Sequence, residues 1–494
     1  MKWPGILSKF LVLLGILCLS GQVTAQHRGS LDPSFGKAGI SQLTLGSLSE
    51  QAHDVVYLAD GSLLVAATVQ ASFTTAQFAL LKLKPNGALD SSFATNGRVI
   101  TAIEDRSVPA SMALQPDGNI VVAGASRWFV NIVRYLANGE LDTSFADQGK
   151  LIHDYPGYYS ERCLKVLIQN DGKILCLGHA SHFSNDKPFF TLSRYLPNGQ
   201  IDSAFGSDGV VIGLSGRAYT GLLQQDAKIL IAGVVDGEFA AMRFDSNGSL
   251  DSSFGSQGSV QIAIGNFAEV RASAQQADGK LIFAGASDSL VTLIRCHPDG
   301  SLDQSFGQSG ISQPAVGKVQ DIKLRADGSM YLAGGSRPHT GQGHFQLIHL
   351  LGDGSLNFNF AQGGILQSPM GIYSLANSLA IQADGKVVLA GARYDSSGQG
   401  LVLSRYYGQP WISLPTYAEP STIEVFPNPI KDFAWIRMKG EPNQQSLSLY
   451  NTQDQCMRTF KITGQELFRL DRNSLPAGVY VLKSEGVAVS LVLE

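Results

Sequence analysis

The chain has 494 residues, so it is too long for one ordinary domain. Because 44% of its residues are apolar, it can bury a substantial core without stabilising cross-links. Its formal net charge is −4 and no cluster of Lys and Arg stands out, which gives no support to a polyanion-binding surface and argues against nucleic acid as a partner. Charged residues make up only 16% while Gly occurs 54 times, a balance that favours many short strands joined by tight turns.

The first 25 residues have the pattern of a secretory signal peptide, which directs Sec-dependent export to the periplasm. Lys2 and Lys9 give the segment a positively charged start, and the residues from Ile6 to Leu19 are largely apolar. The small residues that follow predict cleavage after Ala25. The run is shorter than the ~20 residues that cross a bilayer, and no later segment approaches that length, so no transmembrane span is expected. Cys18 leaves a lipoprotein signal open as an alternative, although Leu17 stands where such a signal needs a small residue.

One motif, Leu-Asp-x-Ser-Phe-Gly, recurs along most of the chain. It first occurs from Leu31 to Gly36, and close copies follow at intervals of roughly 54 residues, in the range of propeller and solenoid units. The Phe of the seven copies lies at positions 35, 93, 145, 205, 254, 306 and 360. The repetition predicts that residues 26–407 form tandem structural units.

Each unit carries two further markers. The first is an Asp-Gly turn between apolar runs, as at Asp117-Gly118, which indicates a β-hairpin because Gly adopts the positive φ that the turn requires. Unit four has Asp226-Ala227 instead, where Ala would strain such a site. The second marker is an apolar strand that ends in a basic residue and a turn, and another short run follows each Phe motif. One unit therefore holds four strands, the content of an antiparallel propeller blade.

The two ends of the repeat region complement each other. The first Phe motif has no strand before it, whereas the last strand, Leu401 to Tyr407, has no Phe motif after it. The amino end is therefore expected to complete the final blade and close a ring. The motifs resemble the delta-60 repeat, a bacterial family of tandem units marked by the same string, over residues 29 to 407. The resemblance implies a propeller-like fold in exported proteins and supplies no active site.

A basic residue ends one strand of every unit, and an acidic residue follows in the next motif. We interpret them as one shielded ion pair per blade, because a group needed in every blade is more often architectural than catalytic; a ring of functional sites is the alternative. The expected pairs are Lys82 with Asp90, Arg134 with Asp142, Arg194 with Asp202, Arg243 with Asp251, and Arg295 with Asp303. In unit six, His349 and Asn357 replace both partners together. Across the ring closure, Arg405 is expected to meet Asp32.

No metal, cofactor or catalytic motif is predicted. Each Asp-Gly turn supplies a single carboxylate, too few for Ca²⁺, and the chain contains no nucleophile elbow, phosphate loop or His-Glu-x-x-His sequence. The cysteines lack the spacing of zinc ligands. Cys163 and Cys176 lie at unequal distances from the turn between them, so we expect buried free thiols and no disulfide. His179 and His182 are the only close histidine pair, and we interpret their proximity as accidental.

The irregular loops form the candidate binding face. In an up-and-down blade, two connections emerge at each end; the repeated motifs occupy one end, and the variable loops are left at the other, where recognition commonly resides. Aromatic residues in these loops would stack on sugar rings or anchor a protein partner, or they would simply cap the blade edges. The candidate binding residues are Trp128, Tyr155, Tyr158, Tyr159, His182, Arg337 and Tyr394.

A second module follows the repeats. Residues 408–420 contain three prolines and are interpreted as a linker, and residues 421–494 outline a small β-sandwich. This module is similar to the Por-type (type A) sorting domain of the type IX secretion system of Bacteroidetes. The residues that match its opening and closing motifs are Pro427, Asn428, Pro429, Gly478 and Tyr480. The resemblance implies passage across the outer membrane by that machinery, then release or surface anchoring; the tail lacks the basic residues often present there.

We therefore predict an all-β chain: a seven-bladed β-propeller of roughly 54-residue repeats followed by a small immunoglobulin-like β-sandwich. The leading functional hypothesis is a secreted or outer-membrane-surface binding scaffold, without enzymatic activity or cofactor, that engages a glycan or a protein through the irregular loops. The alternatives are an extracellular polysaccharide lyase or hydrolase on the same scaffold, and a passive adhesive or structural surface protein. An acidic and basic cluster lining one pocket would favour the enzyme, and an aromatic strip would favour binding.

Overall fold

The computed structural model describes residues 28–72, 74–336, 343–396, 398–408, 422–426, 431–439, 445–451, 455–462, 467–472, 475–484 and 487–493. Every regular element in these ranges is a β-strand. The described residues separate into two compact units, within Met1–Trp411 and Ile412–Glu494. A search of the described ranges finds no helix with the length and hydropathy needed to span a membrane.

The described part of the first unit contains 28 strands, numbered here in chain order. They are β1 (Ile40–Leu43), β2 (Ser49–Tyr57), β3 (Leu63–Gln70), β4 (Ala76–Leu83), β5 (Arg98–Thr101), β6 (Val108–Leu114), β7 (Ile120–Ala125), β8 (Val130–Tyr135), β9 (Lys150–His153), β10 (Tyr158–Ile168), β11 (Ile174–His182), β12 (Pro188–Tyr195), β13 (Val210–Ser215), β14 (Arg217–Leu223), β15 (Ile229–Val235), β16 (Glu238–Phe244), β17 (Ser259–Ile262), β18 (Ala268–Gln275), β19 (Leu281–Ser287), β20 (Leu290–Cys296), β21 (Ile311–Ser312), β22 (Lys318–Leu324), β23 (Met330–Ser336), β24 (His344–Leu350), β25 (Ile365–Ser368), β26 (Tyr373–Ile381), β27 (Val387–Asp395) and β28 (Gly398–Tyr406).

These strands form seven antiparallel groups of four. Strands β2–β5 form blade 1, the next sets of four form blades 2 to 6, and β26–β28 form blade 7 together with β1. Strand β1 pairs antiparallel with β28, from Ile40 opposite Ser404 to Leu43 opposite Leu401. The amino end of the described chain therefore supplies the outermost strand of the last blade, as the sequence predicts.

The blades close into a ring around their first strands. Each first strand packs against the first strand of the next blade, and β2 of blade 1 packs against β26 of blade 7. Buried side chains interlock across these junctions: Leu64 of blade 1 shares a cluster with Met112 of blade 2, and Val388 of blade 7 shares one with Val55 of blade 1. The all-β propeller architecture expected from the repeats is thereby confirmed.

The ring has two chemically different ends. Because the strands alternate in direction, the Asp-Gly turns and the Phe motifs emerge at one end, called the motif end, and the other connections emerge at the irregular end. The turn glycines adopt positive φ, for example +85° at Gly118. Ala227 adopts a φ of 65° at the equivalent position of blade 4, so the strain expected there is present.

Blade 3 contains a disulfide between Cys163 and Cys176, so the prediction of two free thiols was wrong. A β-bulge in β10 places Cys163 opposite Gly178 and Val166 opposite Cys176. Without the extra residue, Cys163 would face His179 and point to the other side of the sheet from Cys176. With it, the two cysteines become diagonal neighbours on one face, with Cα atoms 5.5 Å apart. Cys296 is a buried free thiol and Cys456 an exposed one.

The second unit is built from two small sheets. Its strands are β29 (Thr422–Phe426), β30 (Phe433–Lys439), β31 (Gln445–Asn451), β32 (Cys456–Ile462), β33 (Leu467–Asp471), β34 (Gly478–Ser484) and β35 (Val487–Leu493). One sheet has the order β29-β30-β33 and the other β32-β31-β34-β35. Ile436 of the first sheet and Leu449 and Leu482 of the second belong to a single buried cluster, so the two sheets share one core.

Candidate functional site

Five arginines at the motif end make the same set of contacts, called here the arginine clamp. The guanidinium Nε donates to Oδ2 of the motif aspartate at 2.6–2.8 Å, and the guanidinium carbon lies 4.3–4.8 Å from the centre of the motif Phe ring. Nη1 donates to a backbone carbonyl of the next blade. The clamps are Arg134–Asp142, Arg194–Asp202, Arg243–Asp251, Arg295–Asp303 and Arg405–Asp32. Because each buried charge is paired and its Nη1 donates across a junction, the clamp joins neighbouring blades.

The ring closure uses the same clamp. Arg405 Nε lies 2.8 Å from Asp32 Oδ2, and Arg405 Nη1 reaches the carbonyl of Pro85 in blade 1 at 2.5 Å. Burial would raise the pKa of Asp32, but hydrogen bonds from Ser34 and the charges of Arg405 and Lys386 hold it below its ordinary value. These residues bring together segments more than 370 positions apart in the chain, which is the arrangement that the sequence analysis required.

Blades 1 and 6 depart from the clamp in different ways. Lys82 Nζ lies 3.9 Å from Asp90 but 3.1 Å from the exposed Asp60, so its contacts stay within blade 1. In blade 6, His349 stacks on Tyr331 at 4.1 Å and its Nδ1 lies 3.3 Å from Asn357 Nδ2. Burial lowers the pKa of His349 to about 4, so the imidazole is neutral at pH 7 and requires no carboxylate partner.

The centre of the ring is a polar cavity of about 270 Å³. Each first strand carries a β-bulge, and the seven extra residues all line the cavity because a bulge turns a side chain out of the normal alternation. They are His53, Ala110, Leu164, Tyr219, Arg271, Gln320 and Asn377. Glycines on six of the second strands make room for these bulges: at Gly124 or Gly178, a Cβ would come within about 2 Å of a backbone oxygen. The sequence analysis missed this ring, although the repeated Ala-Gly of the second strands was its signal.

Two carboxylates of the cavity meet at one serine, and one of them is paired with a lysine. Ser378 Oγ lies 2.9 Å from Asp54 and 3.1 Å from Asp321, and Lys323 Nζ lies 3.2 Å from Asp321. Burial would lower the pKa of Lys323, but the two carboxylates outweigh it and raise the value. Asp54 also accepts the backbone N–H of Met112 in blade 2 at 2.9 Å. These contacts tie blades together and leave no cluster of three or more metal-ligating side chains within the described ranges.

An aromatic cleft of about 720 Å³ opens at the irregular end between blades 2 and 3. Its walls are Trp128 and Phe129 from the β7–β8 loop, Tyr158 and Tyr159 from the start of β10, and Phe183 from the β11–β12 loop, with Asp154 and Gly157 at the edge. Trp128 is 44% exposed and Phe183 is 68% exposed. The cleft therefore presents large apolar faces to solvent at one place on the ring.

The cleft aromatics hold one another in position. The Tyr159 and Phe183 rings stack with centroids 5.1 Å apart, and Trp128 lies 6.4 Å from Tyr159. Tyr158 packs edge-on against His182 at 4.9 Å. The Tyr159 hydroxyl donates to Asp186. His182 thus supports the cleft from behind, and its Nδ1 contacts Ser184 at 2.7 Å.

Two of the candidate binding residues lie elsewhere, and a third is outside the described residues. Tyr155 is 2% exposed, and its hydroxyl contacts Ser193 in the core, so its inclusion is corrected: its ring packs in the interior of blade 3 and does not line the cleft. Tyr394 is in blade 7, where it packs on Tyr373 at 5.4 Å, and it does not line the cleft. Arg337 lies outside the described residues.

Glu161 lies behind the cleft and supports a loop. Its Oε1 accepts the N–H of Tyr155 at 2.7 Å, as Glu50 of blade 1 accepts the N–H of Leu45 at 2.6 Å. Burial raises the pKa of Glu161 to about 8, and the neighbouring carboxylate of Asp154 adds to the shift. The side chain is fully buried, so this carboxyl group is not presented to the cleft.

Two of the sorting-motif residues are described. Tyr480 is 5% exposed and donates its hydroxyl to the carbonyl of Pro476 at 3.0 Å, and Gly478 begins β34. Pro427, Asn428 and Pro429 lie outside the described residues, as do the signal segment 1–25 and residues 409–420 of the linker.

Comparisons with known families agree with this architecture. A model described as a domain of unknown function (DUF5122) beta-propeller matches residues 58–93, 115–145, 169–205, 224–254 and 276–306. A model described as a secretion system C-terminal sorting domain matches residues 424–491. The chain therefore carries delta-60-like propeller repeats and a type IX sorting domain, which sends it to the cell surface or the exterior. No characterised protein sequence gives a significant match.

Solved structures with similar folds have low sequence identity. PorZ, a bacterial surface component of the type-IX secretion system of Porphyromonas gingivalis, is 12% identical with a TM-score of 0.39; 88% of this chain and 58% of that chain are covered. YCF48 bound to D1 peptide is 8% identical, with 78% and 100% covered and a TM-score of 0.42. A protein from Lactobacillus plantarum is 12% identical, with 73% and 97% covered and a TM-score of 0.40. The chain thus spans only about 58% of the length of PorZ.

Proposed function

We propose that this exported propeller protein is a surface or secreted binding protein that holds a glycan in the aromatic cleft between blades 2 and 3. The observation that carries the proposal is the gathering of Trp128, Tyr158, Tyr159 and Phe183 around one open cleft. The C–H faces of pyranose rings are apolar and pack against aromatic faces, while their hydroxyls need a few polar partners at the edge. Asp154, which lines the cleft, supplies such a group.

The mutual packing of the cleft favours binding without large ordering costs. Tyr159 is held by its stack with Phe183 and by its hydrogen bond to Asp186, and Tyr158 is held by His182. The disulfide of blade 3 links β10, which contains Tyr158 and Tyr159, to β11, which ends at His182. Side chains that are already ordered lose little rotamer freedom when a ligand arrives, which improves affinity.

The contrast between repeated and unique residues also supports the proposal. The arginine clamps recur in five blades and join each of these blades to the next, whereas the aromatic cleft is built by blades 2 and 3 alone. A feature present once on a repeated scaffold is the kind of feature that loop variation produces for recognition.

A glycan array probed with the purified secreted protein tests the proposal. We expect selective binding to polysaccharides, and we expect Trp128→Ala and Tyr159→Ala each to weaken it at least tenfold, as for aromatic hot spots. Phe358→Ala is the matched control, because Phe358 is 77% exposed at the motif end, away from the cleft. Binding that the control abolishes and the cleft variants leave intact would contradict the site.

The same array distinguishes the alternative functions. Each bound glycan is incubated with the protein and analysed for shortened or unsaturated products. Turnover that requires the cleft residues would replace binding by an extracellular lyase or hydrolase activity at the same site. Turnover that persists in the cleft variants would place the function elsewhere, and an array without any selective signal would leave the passive adhesive role.

A further inference from the structure

A second cavity, of about 390 Å³, lies beside the aromatic cleft at the irregular end. Three arginines line it, Arg106, Arg127 and Arg162, and none of its lining residues is Asp or Glu. They come from three separate segments of the chain: Arg106 from the β5–β6 loop, Arg127 from the β7–β8 loop and Arg162 from strand β10. We call this cavity the arginine pocket. It is a local positive site on a chain whose net charge is −4.

The arginine pocket and the aromatic cleft share one wall, the β7–β8 loop. Arg127 faces the pocket and its neighbour Trp128 faces the cleft, and the Arg127 guanidinium lies 4.8 Å from the centre of the Trp128 ring. Arg162 Nη1 donates to the carbonyl of Ser126 in the same loop at 3.3 Å. A ligand lying in the cleft would therefore have its next group over the arginines.

Among the described residues, the hydrogen bonds of the other polar groups in the pocket do not involve Arg127, and Arg162 donates only to a backbone carbonyl. Gln399 Nε2 donates to Gln51 at 3.0 Å, and the Thr68 hydroxyl contacts His53 at 2.7 Å. Burial lowers the pKa of His53 to about 4, so this ring is neutral at pH 7. The carboxylate of Glu104, which does not line the pocket, accepts a hydrogen bond from Ser126 at 2.8 Å.

Arg162 is a partly buried cation without a carboxylate partner among the described residues. Burial lowers its pKa, which reflects the cost of removing a guanidinium from water without an anion beside it. Arg127 likewise makes no ion pair with any described carboxylate. An incoming anion would repay this cost through charge-assisted, bidentate hydrogen bonds, the geometry that a planar guanidinium offers to carboxylates and sulfates.

We propose that the arginine pocket binds the anionic group of an acidic polysaccharide whose adjoining sugar ring lies in the aromatic cleft. The inference rests on the proposed glycan-binding function and names the substrate class of that site. A sugar carboxylate or a sugar sulfate supplies the required charge. An acidic peptide would satisfy the arginines but would leave the stacked faces of Tyr159 and Phe183 without their complementary apolar surface.

The test compares glycans with and without a negative charge. Binding of the purified secreted protein is measured for oligogalacturonate, for its full methyl ester and for a sulfated galactan. We expect the acid to bind at least tenfold more tightly than the ester, with an affinity that falls as salt rises. The sulfated galactan distinguishes sulfate from carboxylate as the preferred anion.

Variants then separate the pocket from the cleft. Arg127→Gln and Arg162→Gln should each weaken binding of the acid about tenfold and leave binding of the ester unchanged. Trp128→Ala should weaken both ligands, and Arg98→Gln, on the outer strand of blade 1, should change neither. Arg127 is exposed, so its variant keeps the test valid if Arg162→Gln folds poorly.

Each other outcome has a definite meaning. Equal affinity for acid and ester, unaffected by the arginine variants, would overturn the anion pocket and leave glycan binding standing. If the protein binds no glycan, and Trp128→Ala is indistinguishable from the unchanged protein, the proposed function itself is wrong. Tight binding of a poly-glutamate peptide that ignores Trp128→Ala would replace the polysaccharide by an acidic protein partner.

Discussion

The motif end and the irregular end of the propeller use arginine in opposite ways. At the motif end, Arg405 is buried, paired with Asp32 and bonded to the next blade, and four other arginines repeat this clamp. At the irregular end, Arg127 and Arg162 lie in a cavity with no acidic lining. A paired and repeated cation stabilises the scaffold, whereas an unpaired and unrepeated one is available to a ligand. The comparison shows that the partners of an arginine, and not its residue type, distinguish a structural role from a binding role.

The largest expected effect tests the clamp. Arg405→Ala should lower the free energy of unfolding by about 3 kcal/mol, because Asp32 stays buried and keeps just Lys386, 3.3 Å away, as a cation among the described residues. Lys82→Ala is the control: its nearest partner, Asp60, is 56% exposed, so a loss under about 1 kcal/mol is expected. Urea denaturation measures both values. Equal losses would show that the repeated clamp has no special role at the junctions.

The disulfide beneath the aromatic cleft gives the next effect. Replacing Cys163 and Cys176 together by Ser should cost about 3 kcal/mol, because the cross-link closes a loop with a sequence separation of 13 residues. Thermal unfolding with and without reductant measures the cost, and Cys456→Ser, which removes an exposed thiol, should change nothing. If reductant makes the thiols of Cys163 and Cys176 titratable but leaves the thermal unfolding transition of the natural chain unchanged, the disulfide does not contribute to the rigidity of the cleft.

Glu161, at the irregular end, should make the stability of the protein depend on pH. Its pKa is raised to about 8, so between pH 4.5 and 8 the unfolded chain releases a proton that the folded chain retains. This group therefore lowers stability as pH rises through that window. Glu161→Gln should remove this decline and make the protein on the order of 2 kcal/mol more stable at pH 8, measured by urea denaturation across pH. Glu50→Gln, at the equivalent loop of blade 1, is the matched variant; an identical pH profile for both would contradict the assignment.

The smallest expected effect concerns a turn at the motif end. Ala227 has a φ of 65°, where an L-residue with a Cβ is strained, so Ala227→Gly should stabilise the protein by about 1 kcal/mol. Gly279→Ala, at the same turn of blade 5 with a φ of +85°, should destabilise it by a similar amount. Differential scanning calorimetry resolves shifts of this size. Stabilisation by both substitutions would mean that the backbone of these turns is not the limiting factor.

The regular half of the molecule could be predicted from residue identity because its rules are local. Asp-Gly turns, alternating apolar runs and a Phe motif at constant spacing define each blade independently of its neighbours. The ion pair between Arg405 and Asp32 could also be predicted, because the first motif has to complete the last blade. The disulfide could not be predicted by counting residues from a turn. One bulged residue, Leu164, shifts the register of Cys163 and moves its side chain to the face of Cys176.

The amino-acid sequence by itself determined the propeller repeats, the C-terminal sorting domain and the end of the ring where loops vary. The tertiary structure alone decided which of those loops meet. Trp128, Tyr159 and Phe183 converge on one cleft, Tyr155 turns into the core, and Arg106, Arg127 and Arg162 line one pocket although they never cluster along the chain. The reason is that strand patterns depend on near neighbours, whereas a binding surface depends on how loops from adjacent blades are aimed across the junction between them.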